Sequence, residues 1–434
     1  MSDSSSLRTS EAGIAGSPAP DHVESASGGE SIDRSYATAR NEVHARTKVA
    51  ILMNIPAPYR VQQFARLAAS RRHEYLIYFC AETEPNRRWR PPQKYEFRHE
   101  ILGARAHTFL GGYSYFVLGF LRKLIREKPG VVIVGGFSLQ LLLARLYGWF
   151  GRIPVIVMSD TNILCERPLP AWRTILRRCM VHGIEGAIAC SRLGVEYLHW
   201  LGVPPHRIAM SRCVNDALVF SEGVRAWRVA RAEERRRFGV PADAVVALFV
   251  GRFEKHKGVV ELLEAFATVH GNASDRLHLF LVGDGALEDT LRRIVTERSL
   301  TDCVTFAGFN SYEEMPRFYA LADLAVVPSL REPYGLVINE AMAAGLPVLC
   351  SIFAGARDLL EDHRRGLLFD PSDAEQFASA LTGGIDRVRA GEWSPSAEVC
   401  SDILPEAANA AIEELLERTI PSERNAAGIK GASS

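Results

Sequence analysis

Apolar runs alternate with amphipathic segments along most of the chain. Ten short runs rich in Val, Ile, Leu and Phe have the length of strands, and their continuous apolar character indicates burial on both faces of a sheet. Helical patterns separate most of these runs, an alternation that predicts an α/β protein with two doubly wound parallel sheets. The predicted strands are 48–54, 74–80, 131–135, 154–158, 186–190, 245–250, 277–282, 303–306, 324–327 and 347–350.

Breaks in this pattern divide the chain into parts. Residues 1–46 are rich in Ser, Ala, Gly and acidic residues and hold few large apolar side chains, so we expect them to be disordered and to carry no secretory signal. The amphipathic pattern at 405–419 predicts a late helix. The predicted parts are a tail at 1–46, a first domain at 47–220, a segment of helix and linker at 221–240, a second domain at 241–395, a C-terminal segment with this helix at 396–420 and a disordered tail at 421–434.

Composition is consistent with a large α/β enzyme. A chain of 434 residues, 47% of them hydrophobic, is long enough to bury two cores. Its eight cysteines are scattered without a Cys-x-x-Cys pair, which favours free thiols in a reducing cytosol. We therefore expect a cytoplasmic protein.

The richest candidate chemistry lies at 328–350, where a turn follows an apolar strand and opens a helix. Gly335 allows the sharp turn, and the segment Ile338–Ala344 has a helical pattern that ends at Gly345. Amide groups at the start of such a helix favour a phosphate. Glu332 and Glu340 flank the turn, and an ionised carboxylate can accept hydrogen bonds from both hydroxyls of a diol. A nucleotide sugar, with phosphates between two sugars, suits this layout.

A second candidate group follows the strand at 246–250. Gly251 and Arg252 end that strand, and Lys257 precedes a helix opened by Gly258. Open α/β sheets bind ligands at this edge, and the two cations could neutralise a departing diphosphate. Asp284 ends the next strand between two glycines, a pattern that serves tight turns more often than ligands.

These segments together resemble glycosyltransferase family 4, the retaining enzymes of the GT-B fold. The resemblance is carried by VGRFEKHKG, LVGDG, VTFAGF, FYALADLAVVPS and EPYGLVINEAMAAGLPVLCS, in that order, and is close over 245–372. It implies two Rossmann-like domains that face each other across a cleft, with the C-terminal segment 396–420 as a crossover helix that packs back across the junction.

The resemblance also implies roles for individual residues. Arg252 and Lys257 would hold the donor diphosphate, Glu332 would meet hydroxyls of the transferred sugar, and Glu340 would bind the ribose. Backbone amides of Gly335 and Leu336 would add phosphate contacts. The candidate donor-binding set is Gly251, Arg252, Lys257, Asp284, Glu332, Tyr334, Gly335, Leu336 and Glu340. Taken singly, Arg252 is better explained as an exposed charge after a strand and Glu340 as a solvated helix residue; taken as a set, the donor-binding interpretation is favoured.

The N-terminal half departs from the family pattern. Its first strand runs into Pro-Ala-Pro, where many relatives carry a glycine pair. This loop projects Tyr59 and Arg60 toward the expected cleft, where Arg60 could supply a charge. The alternative interpretation is that Tyr59 covers the core and Arg60 is solvated.

Asp160 is the candidate catalytic side chain of this half. It ends the strand at 154–158, where family members often place an acidic or histidine side chain facing the reacting sugar. The alternative is helix capping, since Asp, Thr and Asn are good N-cap residues.

No metal or cofactor is expected. The chain lacks the Asp-x-Asp motif of metal-dependent sugar transferases, and Arg252 and Lys257 would stand in for the cation. The predicted catalytic set is therefore Arg252, Lys257, Glu332 and Asp160, with Tyr59, Arg60 and Asp160 on the acceptor side.

Charge is uneven although the whole chain is neutral. Residues 47–215 carry 24 Lys and Arg against 10 Asp and Glu, an excess of about +14. Within them, 113–128 and 141–152 mix apolar, aromatic and basic residues, as basic amphipathic helices on anionic membranes do. Alternatively, both helices simply flank the sheet. Neither run is long enough to span a bilayer, and nothing resembles a nucleic-acid-binding module.

The sequence therefore predicts a retaining, metal-independent glycosyltransferase that acts on a glycan or lipid-linked acceptor, in polysaccharide or glycolipid biosynthesis, at the inner face of a membrane. Two alternatives remain: another GT-B enzyme, such as a nucleotide-sugar epimerase or a phosphorylase, and a non-catalytic nucleotide-sugar-binding protein.

Overall fold

The computed structural model describes most of the chain from Arg46 onward. The tails predicted to be disordered, at 1–46 and 421–434, therefore lie outside the described residues except for Arg46. The described ranges are 46–84, 94–104, 106–109, 112–115, 117–166, 169–272, 277–361, 364, 366–393 and 400–420.

The first half is built on a seven-stranded parallel sheet in the order β3-β2-β1-β6-β7-β8-β9. Its central strands β1, β6 and β7 are buried except for Lys48 at the start of β1, which explains their continuous apolar sequence. A separate antiparallel hairpin, β4–β5, follows the edge strand. The strands are β1 Lys48–Met53, β2 Glu74–Phe79, β3 His99–Ile101, β4 Ala106–Phe109, β5 Gly112–Tyr115, β6 Val131–Gly135, β7 Val155–Ser159, β8 Gly186–Ala189 and β9 Ile208–Met210.

Helices cover both faces of this sheet. One face packs against α1 and α14 and the other against α2, α3, α5 and α6. The helices of this half are α1 Pro58–Ala69, α2 Gly119–Glu127, α3 Leu139–Gly151, α4 Ile163–Glu166, α5 Ala171–Val181 and α6 Arg192–Leu201, with a 3₁₀ turn at Pro205–Arg207. The late helix α14, Pro405–Thr419, thus returns from the second half to the first sheet.

The second half contains a six-stranded parallel sheet in the order β12-β11-β10-β13-β14-β15. Its strands are β10 Val245–Val250, β11 Leu277–Val282, β12 Val304–Gly308, β13 Leu324–Val327, β14 Val348–Ser351 and β15 Gly366–Phe369. Its helices are α9 Val259–Asn272, α10 Glu288–Glu297, α11 Met315–Leu321, α12 Leu336–Ala343 and α13 Ala374–Arg389, with 3₁₀ turns at Lys255–Lys257, Gly355–Leu360 and Ser401–Ile403.

The prediction of two doubly wound parallel sheets is confirmed, and all ten predicted strands are present, four with the predicted ends and six with ends shifted by one or two residues. The pattern missed β3, β9 and β15, which are edge strands of only three or four residues, and it missed the β4–β5 hairpin.

One helix assignment was wrong. The segment 113–128 is not one amphipathic helix, because its aromatic-rich start forms β5 and the helix begins at Gly119. The segment 221–240, predicted as helix and linker, contains most of α7, Ala217–Arg228, and all of α8, Arg231–Arg237. Both helices pack against α11 of the second half.

Candidate functional site

The carboxyl ends of the two sheets border a common cleft. Two adjoining cavities, of about 500 and 670 Å³, lie in it and share Tyr59, Asp160 and Leu336 in their walls. The smaller cavity is lined mainly by the first half, and the larger one mainly by the loops that follow β10, β11 and β13. Parallel α/β sheets bind ligands at this edge.

Asp160 forms a three-residue cluster with Tyr59 and Arg60 on the N-terminal side of the cleft. The hydroxyl of Tyr59 donates to Oδ2 of Asp160 at 3.0 Å, and the guanidinium of Arg60 is ion-paired with Oδ1. Arg60 is only 1% exposed and also donates to Oε1 of Gln63 at 2.5 Å. The Asp160 side chain is 36% exposed and borders both cavities.

This cluster corrects the interpretation of the Pro-Ala-Pro loop. Arg60 is neither solvated nor a free charge in the cleft, because Pro58 starts α1 and the first turn carries the guanidinium beneath the surface. Its charge is compensated by Asp160, so the group that faces the cleft is a carboxylate held by two donors.

Capping does not account for Asp160. The cap of α4 is Asn162, whose Oδ1 accepts hydrogen bonds from the amides of Leu164 and Cys165 at 3.0 and 2.9 Å. Asp160 precedes that cap by two residues and has other partners. The capping interpretation was therefore wrong.

Lys257 and Glu332 meet on the C-terminal side of the cleft. The ammonium Nζ lies 2.5 Å from Oε2 of Glu332, which also accepts a hydrogen bond from the Ser329 hydroxyl at 3.1 Å. Arg252 forms a corresponding ion pair with Glu254. All four charged groups border the larger cavity, so each candidate phosphate-binding cation is already paired with a carboxylate.

Glycines hold these loops close together. Gly258 has a φ of +68°, and a Cβ placed there would lie 1.9 Å from the carbonyl oxygen of Pro328. A Cβ at Gly283 would lie 1.9 Å from the carbonyl oxygen of Gly251. Only glycine permits this approach, which brings the loops after β10, β11 and β13 to one place.

The helix α12 begins at the wall shared by the two cavities. Gly335 precedes it with a φ of +100°, and no side chain caps its first amides. The amide of Ile338 donates to the carbonyl oxygen of Gly335 at 2.9 Å, whereas Leu336 and Val337 border the larger cavity. The amides of these two residues, with the positive end of the helix dipole, are therefore available to an anion in the cleft.

Glu340 is buried, so the interpretation of a solvated helix residue was wrong. The hydroxyl of Tyr319 donates to its Oε2 at 2.7 Å. Burial raises the pKa of Glu340 to about 7, although the bond from Tyr319 opposes the shift. Glu340 borders the smaller cavity, whereas Arg252 and Lys257 border the larger one, and Leu336 connects the two.

The remaining candidates from the sequence also border the larger cavity, in different ways. Gly251 and Asp284 lie at its wall, and the carbonyl oxygen of Asp284 accepts from the amide of Phe253 at 2.6 Å. Tyr334 is buried, and its hydroxyl donates to Oδ1 of Asn339 at 3.1 Å, which uses that hydroxyl within the fold.

Several residues around the cleft were missed by the sequence reasoning. Asn162 is fully buried, and its Nδ2 donates to the carbonyl oxygens of Glu332 and Pro333 at 3.0 Å each, which joins the two halves beside the larger cavity. His256 borders the larger cavity, and burial, followed by the charge of Lys257, lowers its pKa. The position of His256 in the basic loop between Arg252 and Gly258 was the sequence signal that could have identified it. Other missed wall residues are Glu84 and Tyr312, both at the smaller cavity.

One group of side chains among the described residues has the spacing of metal ligands. Asp160, Cys190 and Cys213 have ligand atoms within 4.8 Å of one another. The guanidinium of Arg60 already contacts two of them, since it pairs with Asp160 and lies 3.8 Å from Sγ of Cys213. A metal ion there would meet the repulsion of a buried cation.

The known proteins to which this chain is similar are glycosyltransferases. The family model described as "Glycosyl transferases group 1" matches residues 230–385. The D-inositol 3-phosphate glycosyltransferase of Thermomonospora curvata is 31% identical over 303 residues, which are 65% of this chain and 70% of that protein. The lipopolysaccharide core biosynthesis glycosyltransferase LpsE of Rhizobium meliloti is 37% identical over 150 residues, 35% of this chain, and the chain spans only 42% of LpsE.

Solved structures show the same architecture. Anabaena HepE in complex with UDP superposes with a TM-score of 0.68 at 19% identity, covering 85% of this chain and 99% of HepE.

Proposed function

The chain belongs to the group 1 glycosyltransferases, and we propose that it moves a sugar from a nucleotide-sugar donor to a hydroxyl of a glycan or lipid-linked acceptor. Its fold is GT-B, with two Rossmann-like sheets that face each other across the cleft. It is an enzyme of the transferase class, as its relatives are. The proposal therefore concerns its donor, acceptor and mechanism.

The observation that carries the proposal is the wall of the larger cavity. Arg252, Lys257 and the uncapped start of α12 border one space of about 670 Å³ together with Glu332. Two cations and a helix N-terminus suit a diphosphate, and the carboxylate suits sugar hydroxyls. The HepE structure that contains UDP has the same fold, which supports a nucleotide donor here.

Donor binding would exchange ion-pair partners. The diphosphate replaces Glu332 beside Lys257 and Glu254 beside Arg252, and each released carboxylate becomes available to a ligand hydroxyl. As the bond to the sugar breaks, negative charge grows on the leaving diphosphate, and the two cations stabilise it. We propose that these cations act without a divalent metal and that the reaction retains the configuration of the anomeric carbon.

Asp160 would orient the acceptor. Its carboxylate borders both cavities and is held by Tyr59 and Arg60, so it presents a fixed hydrogen-bond acceptor to an incoming hydroxyl. The bonds from Asn162 to the Glu332–Pro333 backbone hold the two halves together beside the donor, which excludes water as a competing nucleophile.

We also propose that the enzyme works in the cytoplasm at the inner face of a membrane, in polysaccharide or glycolipid biosynthesis. The excess charge of about +14 over residues 47–215 supports contact with anionic lipids. All eight cysteines are free, which fits a reducing compartment.

Thermal unfolding of the purified chain with UDP-, GDP-, ADP- and TDP-sugars, each with and without EDTA, tests the donor. We expect a concentration-dependent rise in Tm for one nucleotide family, unchanged by EDTA and lost in Arg252→Ala. Arg293→Gln, an exposed charge on α10, is the matched control and should keep the rise. No rise with any donor would overturn the proposed donor site, and a rise that requires a metal would overturn metal independence.

Product analysis separates the transferase from the other GT-B activities. Incubation of the identified donor with candidate acceptors should yield a glycoside whose anomeric proton coupling in NMR matches that of the donor. Inversion of that coupling would refute the retaining mechanism. Conversion of the donor's sugar without any acceptor would indicate an epimerase instead.

A further inference from the structure

Exposed apolar side chains are concentrated on three helices of the first half. Ten of the seventeen exposed large apolar side chains among the described residues lie on α2, α3, α5 or the N-cap of α2, so the clustering is not the scatter of an ordinary surface. Trp149 and Phe150 are 75% and 74% exposed, and their rings lie 4.8 Å apart. The ten are Leu118, Ile125, Leu139, Leu142, Leu146, Trp149, Phe150, Trp172, Ile175 and Leu176.

These helices form one surface, here called the α2/α3/α5 face. The hydroxyl of Tyr147 on α3 donates to the carbonyl oxygen of Leu124 on α2 at 3.0 Å. On the other side of α3, Arg145 donates to the carbonyl oxygen of Met180 on α5 at 3.0 Å. Helix α3 therefore lies between its two neighbours, and all three cover the same side of the first sheet.

The fold does not need the exposed side chains for its core. The inner sides of the helices already bury Phe120, Leu124, Leu141, Ala144 and Met180 against the sheet. The outward apolar side chains thus remain available to contact a partner. Without a partner, such an exposed apolar patch lowers the solubility of the protein.

The charge of the face selects the class of partner. Nine basic side chains lie on the three helices and their C-caps, against the single acidic residue Glu127, which is paired with Arg98 and Arg126. Two of the nine pair with carboxylates outside these helices, Lys123 with Glu100 and the largely buried Arg177 with Glu166, so seven remain to give the face its positive charge. A second copy of the same face would bring like charges together, whereas an anionic surface would be attracted. The basic residues are Arg122, Lys123, Arg126, Lys128, Arg145, Arg152, Arg173, Arg177 and Arg178.

We propose that the α2/α3/α5 face docks on an anionic phospholipid membrane, with Trp149, Phe150, Trp172 and Ile175 entering the headgroup region. Aromatic and aliphatic side chains bordered by Arg and Lys are the composition of interfacial helices. No described helix combines the length and apolar character needed to cross a bilayer. Helix α3 follows closely on Gly135 and Gly136, which border the smaller cavity, so docking brings the acceptor half of the cleft near lipid-linked acceptors.

Co-sedimentation of the full chain with vesicles tests this proposal. The probes are phosphatidylcholine vesicles with and without about one third phosphatidylglycerol, at low and high salt. We expect binding to the anionic vesicles only, weakened by salt. The double variant Trp149→Ser/Phe150→Ser should bind at least about tenfold more weakly, because two large apolar side chains no longer enter the lipid. Arg122→Gln/Arg152→Gln should weaken binding and reduce its salt dependence.

The matched control is Leu218→Ser/Val219→Ser, which removes two exposed apolar side chains from α7 outside the face and should bind as the unaltered chain does. Equal Tm values exclude misfolding as the cause of lost binding. Absence of binding to anionic vesicles, or equal binding by the aromatic double variant, would overturn the proposal. So would a lipid-free dimer that the aromatic double variant dissociates. This docking proposal rests on the membrane location given in the proposed function. Vesicle binding requires no sugar transfer, so membrane docking and the proposed sugar transfer can fail independently of each other.

Discussion

The Nζ atom of Lys257 lies 2.5 Å from Oε2 of Glu332, so two side chains proposed to bind different parts of one ligand bind each other. Both are mostly buried beside the larger cavity, with side-chain exposures of 20% and 12%. The carboxylate neutralises the ammonium in the place where a diphosphate would do so. Under the proposed function, an anionic ligand in this cleft would therefore compete with the protein's own carboxylate for Lys257.

This competition predicts opposite effects of one substitution. Glu332→Gln should raise the affinity for the nucleoside diphosphate several-fold, on the order of 3- to 10-fold, because Lys257 loses its competing anion. The same change should lower kcat strongly, since the proposed contact with the transferred sugar is lost. Calorimetric titration and steady-state kinetics measure the two effects. Glu254→Gln, which frees Arg252, is the comparison and should raise affinity with little loss of kcat. Weaker diphosphate binding by both variants would contradict the competition.

Asn162 should act as a positioning residue. In Asn162→Asp, the carboxylate still caps α4, but it offers no donor to the carbonyl oxygens of Glu332 and Pro333. We expect faster amide exchange over 329–336 and a rise in KM for the donor of about tenfold. Hydrogen-exchange mass spectrometry and kinetics provide the readouts, and unchanged exchange in that segment would show that the bridge does not hold the loop.

The buried guanidinium of Arg60 should depend on Asp160 for its stability. Asp160→Asn leaves a charge in the interior without its counter-ion, which should destabilise the fold by about 3 kcal/mol. Arg60→Met in the Asp160→Asn background should recover part of that loss, because no charge then remains to be compensated. Urea unfolding of Asp160→Asn, Arg60→Met and the double variant gives the coupling free energy between the two side chains. Additive losses would mean that the pair is not energetically coupled.

Glu340 should make the free energy of unfolding fall as the pH rises from about 4.5 to 7. Burial raises its pKa from 4.5 to about 7, so between these values the folded chain holds a proton that the unfolded chain has released. Raising the pH across this window therefore favours unfolding, by up to about 3 kcal/mol at pH 8. Glu340→Gln keeps an acceptor for Tyr319 and removes the titration. The variant should thus gain stability over the unaltered chain at pH 8 but not at pH 4.5, as measured by urea unfolding. An identical difference at both values would refute the shift.

The close approach of two loops at Gly258 predicts that Gly-to-Ala substitutions at the two ends of α9 have different effects on stability. Gly258→Ala would place a methyl group 1.9 Å from a backbone oxygen at a φ of +68°, so it should destabilise the fold by about 2 kcal/mol or more and weaken donor binding. Gly271→Ala, near the other end of the same helix, meets no atom within 4 Å and should be neutral or stabilising by about 0.5 kcal/mol. Similar losses in both variants, by thermal unfolding, would rule out the steric explanation.

The sequence by itself determined the two parallel sheets and the loops that border the larger cavity. These features are local: apolar runs of strand length, a glycine in each of the loops after β10, β11 and β13, and charged residues within ten positions of those strands all lie in contiguous segments. Arg252, Lys257, Glu332 and Gly335 could be placed at one edge because parallel strands of a sheet share the direction of their carboxyl ends.

Only the tertiary structure decided how these groups are paired and buried. Tyr59 meets Asp160 across 101 positions of sequence, and Asn162 meets Glu332 across 170, distances over which local periodicity carries no information. The burial that raises the pKa of Glu340 comes from packing around α12. Likewise, α5 joins α2 and α3 in one surface only because crossovers of the first sheet lay them side by side. Contacts of this kind depend on strand order and helix packing, which no single segment of the chain specifies.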